Sequence, residues 1–333
     1  MQQRTLGRSS LQVSVLGLGC WPLGGGPGWG DQPLADSIPA VHAALDAGIT
    51  LFDTAEAYNS GVSEEILGQA LLGRRDKAVI ATKVSPTNTE PGTLRAHCEA
   101  SLRRLQVDCI DLYQVHWPIT DHSVADAFAT LQDLQTEGKV REIGVSNFGV
   151  YNLPDALATG ARIVSNQLNY SLLWRAIELG IQPMCHANQM SILAYMPLMQ
   201  GLLVGHWTDP EQVPEFRRRT RHFSCQRPET RHGFSGVEEL TFDTIAQIRA
   251  IADQAGISMP HLALAWVMAQ PDVGSVLVGG RKAQQITRNT KAAALTLSSD
   301  ILGALDKATQ ALRDALGPNA DAFQGDEGTR IPF

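Results

Sequence analysis

The stretch IDLYQVHWPITDHSVADAFATLQDLQTEGKVREIGVS, residues 110–146, contains one complete unit of the fold. It opens on an apolar run of strand length, 110–115. Val124, Phe128, Leu131 and Leu134 then recur at helical spacing and share one face. Gly138 follows, where a left-handed cap closes a helix. A second apolar run at 140–145 begins immediately afterwards.

The same rhythm continues in both directions. Strand-length runs occur at 13–19, 49–53, 78–82, 163–168, 191–195 and 274–279. Leu34, Ile38, Val41 and Leu45 lie on one helical face, and Gly48 caps that helix. Eight runs alternating with helices predict an α/β fold, a closed parallel (β/α)8 barrel of the TIM type, over one domain spanning 1–333. An open doubly wound sheet is the rival. It usually places GxGxxG after its first strand. GGGPGWG at 24–30 does not match that pattern and reads as a flexible loop at the barrel mouth. TLGRSSLQV, within the first residues, predicts an N-terminal hairpin plugging the barrel bottom. A long polar loop, 202–237, follows the seventh strand.

Composition narrows the function. The chain is 44% hydrophobic and 18% charged, with a formal net charge of -7. That charge argues against nucleic acid and anionic membrane as partners. No run approaches the length of a membrane span, and MQQRTLGRSS lacks the apolar core of a signal peptide. Five widely spaced cysteines without a CxxC pair read as free thiols in a reducing cytoplasm. Cys185 next to His186 lacks further ligands, so no metal is expected. A monomer or weak homo-oligomer is the default, since no apolar stripe beyond the inward helix faces stands out.

In such barrels chemistry collects at the C-terminal strand ends. Asp53 ends the second strand, with Tyr58 just after it. Lys83 ends the third. His116 ends the fourth, before Trp117 and Pro118. Each residue alone has a structural explanation: a helix cap for Asp53, packing for His116. A buried lysine needs a partner, and Asp53 on the neighbouring strand, about 5 Å away, supplies one. A carboxylate, phenol, ammonium and imidazole from three consecutive strands point to catalysis.

Here the motifs resemble a known family. LFDTAEAYNSGVSEEILGQAL, ATKV around Lys83, DLYQVHWP, GVSNF, NQLNYSLL, ILAYMPLMQGLL and VLVGGRKAQQITRN are similar to aldo-keto reductase motifs, in order, over about 5–310. The pattern resembles the bacterial inositol-utilisation-type and potassium-channel β-subunit-like branch. The resemblance implies reduction of aldehyde or ketone carbonyls with NADP(H), NAD(H) being less expected. It assigns catalysis to Asp53, Tyr58, Lys83 and His116. Tyr58 is the proton donor, Lys83 lowers its pKa, Asp53 holds Lys83, and His116 orients the carbonyl. An NADP-binding regulatory subunit and a Schiff-base aldolase using Lys83 are the alternatives.

The resemblance also places the cofactor. Ser146, Asn147 and Gln167 grip the nicotinamide carboxamide, and Tyr195 stacks on its ring. Pro197, Leu198, Gln200 and Gly201 form the pyrophosphate loop. Cys20 and Trp21 border the ribose and the pocket, and Asp53 also borders the cofactor. Gly279, Arg281, Gln285 and Asn289 hold the adenosine end, with the backbone N–H groups at this helix start suiting a phosphate. Arg281, more than Lys282, favours the 2′-phosphate. Met196 replaces a serine common in the family and cannot donate to a phosphate. Trp21, Trp29, Trp117 and Trp174 are expected pocket walls. RRRTRHFSCQRPETRHG, 217–233, reads either as a lid whose arginines meet anions or as a solvated loop.

Overall fold

The computed structural model describes residues 1–26 and 29–333. Pro27 and Gly28, in the Gly-rich mouth loop expected at 24–30, lie outside the described residues. An antiparallel hairpin comes first, β1 (Gln3–Thr5) and β2 (Gln12–Ser14). Eight parallel strands then close a barrel. They are β3 (Leu16–Gly19), β4 (Leu51–Asp53), β5 (Val79–Val84), β6 (Ile110–Val115), β7 (Val140–Ser146), β8 (Ile163–Asn169), β9 (Ser191–Tyr195) and β10 (Val273–Gly279), which pairs back onto β3.

Helices alternate with these strands: α1 (Leu34–Asp46), α2 (Val62–Ala70), α3 (Pro91–Leu105), α4 (Val124–Thr136), α5 (Asn152–Ala158) and α6 (Ile181–Ala187). After β9 come α7 (Glu238–Ala255) and α8 (Met259–Ala269), and after β10 come α9 (Ala283–Thr290) and α10 (Ser299–Leu316). Gly48 and Gly138 take the left-handed conformation (φ 85° and 76°) just past α1 and α4, which lets the chain turn at once into β4 and β7.

Two apolar layers hold the molecule together. The outer one lies between strands and helices, with Phe52, Ile80, Tyr113 and Val145 against Leu67, Leu94, Phe128 and Leu153. The inner one fills the barrel bottom. There Leu6, Leu11 and Val13 of the hairpin pack with Leu51, Ala81, Leu112, Val164, Leu193 and Leu277. The hairpin is therefore the plug that the sequence predicts.

Two readings need correction. The run 13–19 is not one strand: Val15 separates β2 of the hairpin from β3 of the barrel. The buried face of α1 is Ser37, Ala40, Val41 and Ala44, while Leu34 is exposed. Small side chains let this helix approach the barrel closely, so the larger Ile38 and Leu45 move to its flanks.

Candidate active site

The C-terminal rim collects the ionisable groups. β4 ends in Asp53, and the turn after it carries Tyr58 over the mouth. Glu56 fixes the base of that turn. Its Oε1 accepts from the Ser85 amide and Asn88 Nδ2, each at 2.8 Å, and its Oε2 lies 2.7 Å from His97 Nδ1.

Lys83, near the end of β5, is fully buried. Its Nζ donates to Asp53 Oδ1 at 2.6 Å, the Thr54 carbonyl at 2.9 Å and Tyr58 Oη at 3.0 Å. All three ammonium protons are engaged. Asp53 Oδ2 accepts from Gln167 Nε2 at 2.6 Å and Gln114 Nε2 at 3.1 Å. Gln114 has room because β7 has Gly144 opposite; a Cβ there would lie 3.0 Å from Gln114 Cγ. Gln114 was missed in the sequence because, although it lies within DLYQVHWP, a polar residue inside the apolar run IDLYQV reads as part of the strand and signals no role of its own. Its register pairing with Lys83 is the signal that finds it.

His116 follows β6, its ring edge-on to Tyr58 at 5.6 Å between centroids. Trp21 stacks on Tyr58 at 6.1 Å, and Trp29 meets Trp21 edge-on at 5.5 Å. Among the sequence-predicted residues, the structure thus brings Asp53, Tyr58, Lys83, His116, Trp21 and Gln167 together.

Electrostatics sharpen the arrangement. Burial pushes the Tyr58 phenol up, Lys83 pulls it down, and the net direction is up. This corrects the expected fall. Asp53 already answers the ammonium, so the pull of Lys83 does not overcome desolvation. Burial opposes the Lys83 charge, but Asp53 and Tyr58 outweigh it and raise its pKa. Burial, then Lys83, then Arg330 hold His116 well below the ordinary histidine range, so its imidazole is neutral near pH 7.

The sequence profile of the Aldo/keto reductase family matches residues 15–310. The chain belongs to this family. This aldo/keto reductase is 35% identical over 311 residues to aldo-keto reductase YhdN of Bacillus subtilis, covering 90% of this chain and 91% of that protein. It is 33% identical over 322 residues to the NADH-specific methylglyoxal reductase of Escherichia coli, with 90% and 95% covered. Among solved structures it is similar to an aldo/keto reductase of Klebsiella pneumoniae in complex with NADP and acetate. That match has a TM-score of 0.71 and 29% identity and covers 89% of this chain and 91% of that one.

Beside the four-residue cluster, a hydrogen-bonded arc crosses the reductase mouth. Tyr195 Oη donates to Asn147 Oδ1 at 2.8 Å. Asn147 Nδ2 donates to Ser146 Oγ at 3.1 Å and the His116 carbonyl at 3.2 Å, and Ser146 Oγ to the Gln167 carbonyl at 3.1 Å. Pro197, Leu198, Gln200 and Gly201 follow in a tight turn, with positive φ at Met196, Met199, Gln200 and Gly201. Gln200 Oε1 is buried without a partner among the described residues. Cys20 is fully buried behind the rim, its thiol 3.6 Å from the Leu18 carbonyl, so Trp21 alone of that pair presents its side chain to the mouth.

At the far end, Gly279 ends β10 and α9 begins. Gln285 Oε1 accepts from the Arg281 amide at 2.8 Å and the Lys282 amide at 3.2 Å. The two backbone donors at this helix start thus meet the Gln285 carboxamide. Arg281 Nε donates to Gln32 Oε1 at 2.7 Å, and its Nη2 donates to the Asp31 carbonyl. Asn289 is buried on α9.

Two further corrections concern loops. Trp174 is no pocket wall: it is fully buried, with Nε1 donating to the Ala320 carbonyl at 3.2 Å and His222 over its face. The segment 217–233 is packed rather than simply solvated. His222 Nε2 lies 2.8 Å from the Leu173 carbonyl, Arg227 pairs with Glu238 and Glu211, and the Arg221 amide donates to the Ala322 carbonyl. Only one of its arginines, Arg217, reaches the turn after β9, donating to the Gln200 carbonyl at 3.0 Å. The final residues, 317–333, also return to the mouth, where the Arg330 guanidinium lies 3.7 Å above the Trp117 ring.

Proposed function

We propose that this chain reduces aldehyde or ketone carbonyls to alcohols with NADPH. The observation that carries the reading is Lys83 Nζ, 2.6 Å from Asp53 Oδ1 and 3.0 Å from Tyr58 Oη at the barrel mouth. The cofactor supplies a hydride when bound. Negative charge then gathers on the carbonyl oxygen and needs a proton. Tyr58 donates it, kept protonated by its raised pKa. Lys83 stabilises the phenolate left behind, and Asp53 holds Lys83 in place. Neutral His116 donates an N–H to the same oxygen and orients the substrate.

The residues present fit NADP(H). The positive-φ turn at 199–201, Gln200 Nε2, which meets only the Met196 sulfur at 4.0 Å, and the adjacent Arg217 guanidinium offer donors to a pyrophosphate. The unpartnered Gln200 Oε1 is an acceptor suited to a hydroxyl or amide N–H of the cofactor. Ser146, Asn147 and Gln167 would hold the carboxamide, and Tyr195 would cover the ring. Cys20 borders the ribose region through its backbone. Gly279, Arg281, Gln285 and Asn289 would hold the adenosine end, with Arg281 and Lys282 favouring a 2′-phosphate over NAD(H). Gln285 would release the Arg281 and Lys282 amides to do so.

A Schiff-base role for Lys83 is disfavoured because its ammonium protons are all engaged and its pKa is raised, leaving no free lone pair. The complete acid–base set disfavours a purely regulatory subunit. We place the chain as one domain in the inositol-utilisation and channel-β-subunit-like branch on its motifs. Unpaired cysteines support the cytoplasm. A net charge of -7 disfavours nucleic acid, and no helix among the described residues is long and apolar enough to cross a membrane. Scattered exposed apolar side chains fit a monomer or weak homo-oligomer. The test is NADPH consumption with methylglyoxal, 4-nitrobenzaldehyde and isatin. Turnover of at least one supports the reading; none by a folded, NADPH-binding protein contradicts it.

A further inference from the structure

Residues 317–333 follow the last helix and lie beyond the part that matches the family profile. They form a wall of the mouth. Asp321, fully buried, fixes this segment by accepting from Arg330 Nε at 2.7 Å and Arg330 Nη2 at 2.9 Å. Its oxygens also accept from the Phe323 amide at 3.1 Å and the Arg330 amide at 3.3 Å. Pro332 closes on the loop after β7, where its carbonyl would lie 2.4 Å from any Cβ at Gly149.

The Arg330 guanidinium is thereby held over Trp117, the residue after His116, with its central carbon 3.7 Å from the ring centroid. Its side chain keeps 43% of its exposure, and Nη1 has no partner among the described residues. The charge acts on both His116 and Tyr195, which flank the mouth from β6 and β9. A planar fork locked by one carboxylate, with its outer edge open, is suited to a second carboxylate. Lys83, the cation beside Tyr58, is spent on Asp53, Thr54 and Tyr58, and Arg217 and Arg281 are tied to Gln200 and to Gln32 and Asp31.

We infer that Arg330 is a specificity-determining residue that selects carbonyl substrates carrying a carboxylate a few bonds from the reacting carbon. The inference rests on the carbonyl-reduction reading and names its substrate class. With the carbonyl oxygen at Tyr58 and His116, the rest of the substrate passes between Trp21 and Trp117. An anionic end emerging there meets Nη1 of Arg330. Asp321 acts as a positioning residue behind it.

The test compares charged and neutral isosteres: 4-formylbenzoate with 4-formylbenzamide, and succinic semialdehyde with its amide. A charge-assisted hydrogen bond predicts a kcat/KM ratio favouring the acid by about 10- to 100-fold in at least one pair. Arg330→Met should bring that ratio to near one. A wild-type ratio near one in both pairs, or a ratio that survives in Arg330→Met, overturns the inference. So does a loss shared equally by acid and amide, which marks a structural role. Calorimetric binding of 4-carbamoylbenzoate against terephthalamide, with NADP⁺ present, reads the same discrimination without turnover. Tighter binding of the acid that Arg330→Met abolishes supports Arg330 even where no aldehyde is reduced, which would count only against the reductase reading.

Discussion

Asp53 divides its two oxygens between two tasks: Oδ1 holds Lys83 at 2.6 Å, and Oδ2 takes the Gln167 amide at 2.6 Å. One carboxylate therefore orients both the amine beside Tyr58 and the carboxamide assigned to the nicotinamide. Asp53→Asn should damage both. It keeps the shape but removes the charge that answers Lys83. We expect kcat/KM for carbonyl reduction to fall about 10²-fold or more, and KM for NADPH to rise, in steady-state kinetics. A change in one parameter alone would separate the two tasks.

Gln114 supports the same carboxylate from β6. Gln114→Met keeps the volume and removes the donation to Asp53 Oδ2. Loss of one buried hydrogen bond to a charge predicts a destabilisation of about 1.5–3 kcal/mol, read from urea denaturation. No measurable change would place the Asp53 interaction wholly with Gln167.

The pH dependence follows from two opposite shifts. Tyr58 is raised above its ordinary 10.0, so it remains protonated through neutral and mildly alkaline pH. Reduction should hold its rate there. Alcohol oxidation needs the phenolate, and its rate should climb by about tenfold per pH unit below that pKa. His116 is lowered well below 6.5, so no histidine step should interrupt the reduction profile between about pH 6 and 8. A limb near pH 6.5 that vanishes in His116→Gln would contradict this.

Cofactor choice tests Arg281. Its Nε and Nη2 are tied to Gln32 and Asp31 across the mouth. Arg281→Ala should raise KM for NADPH about tenfold while changing KM for NADH little. Lys282→Ala should have the smaller effect. Equal losses for both cofactors would assign Arg281 to holding the 31–32 loop.

Much of the barrel was legible because its signals are local. Apolar runs of strand length alternate with helical periodicity, and a strand-end Lys83 or Asp53 stands out against Val and Ile. The N-terminal hairpin was legible for the same reason, as two short segments joined by a turn-rich stretch. What sequence could not show was packing between distant, irregular segments. Trp174 looks like any rim tryptophan until Ala320 and His222 enclose it. Arg330 lies outside every motif and reaches Trp117 only through the fold of residues 317–333. The rotated face of α1 shows the same limit, since periodicity gives an angle but not which side chains fit a close approach. The Tyr58 shift failed differently: its sign depends on burial against a neighbouring charge, and residue identity alone weighs only the charge.

The most direct test of the central claim is the single-turnover rate of NADPH oxidation with 4-nitrobenzaldehyde, wild type against Tyr58→Phe, with NADPH binding followed by fluorescence. Removing the proton donor should slow reduction by about 10²- to 10⁴-fold while the cofactor still binds. A Tyr58→Phe protein that reduces the aldehyde at the wild-type rate would contradict the account.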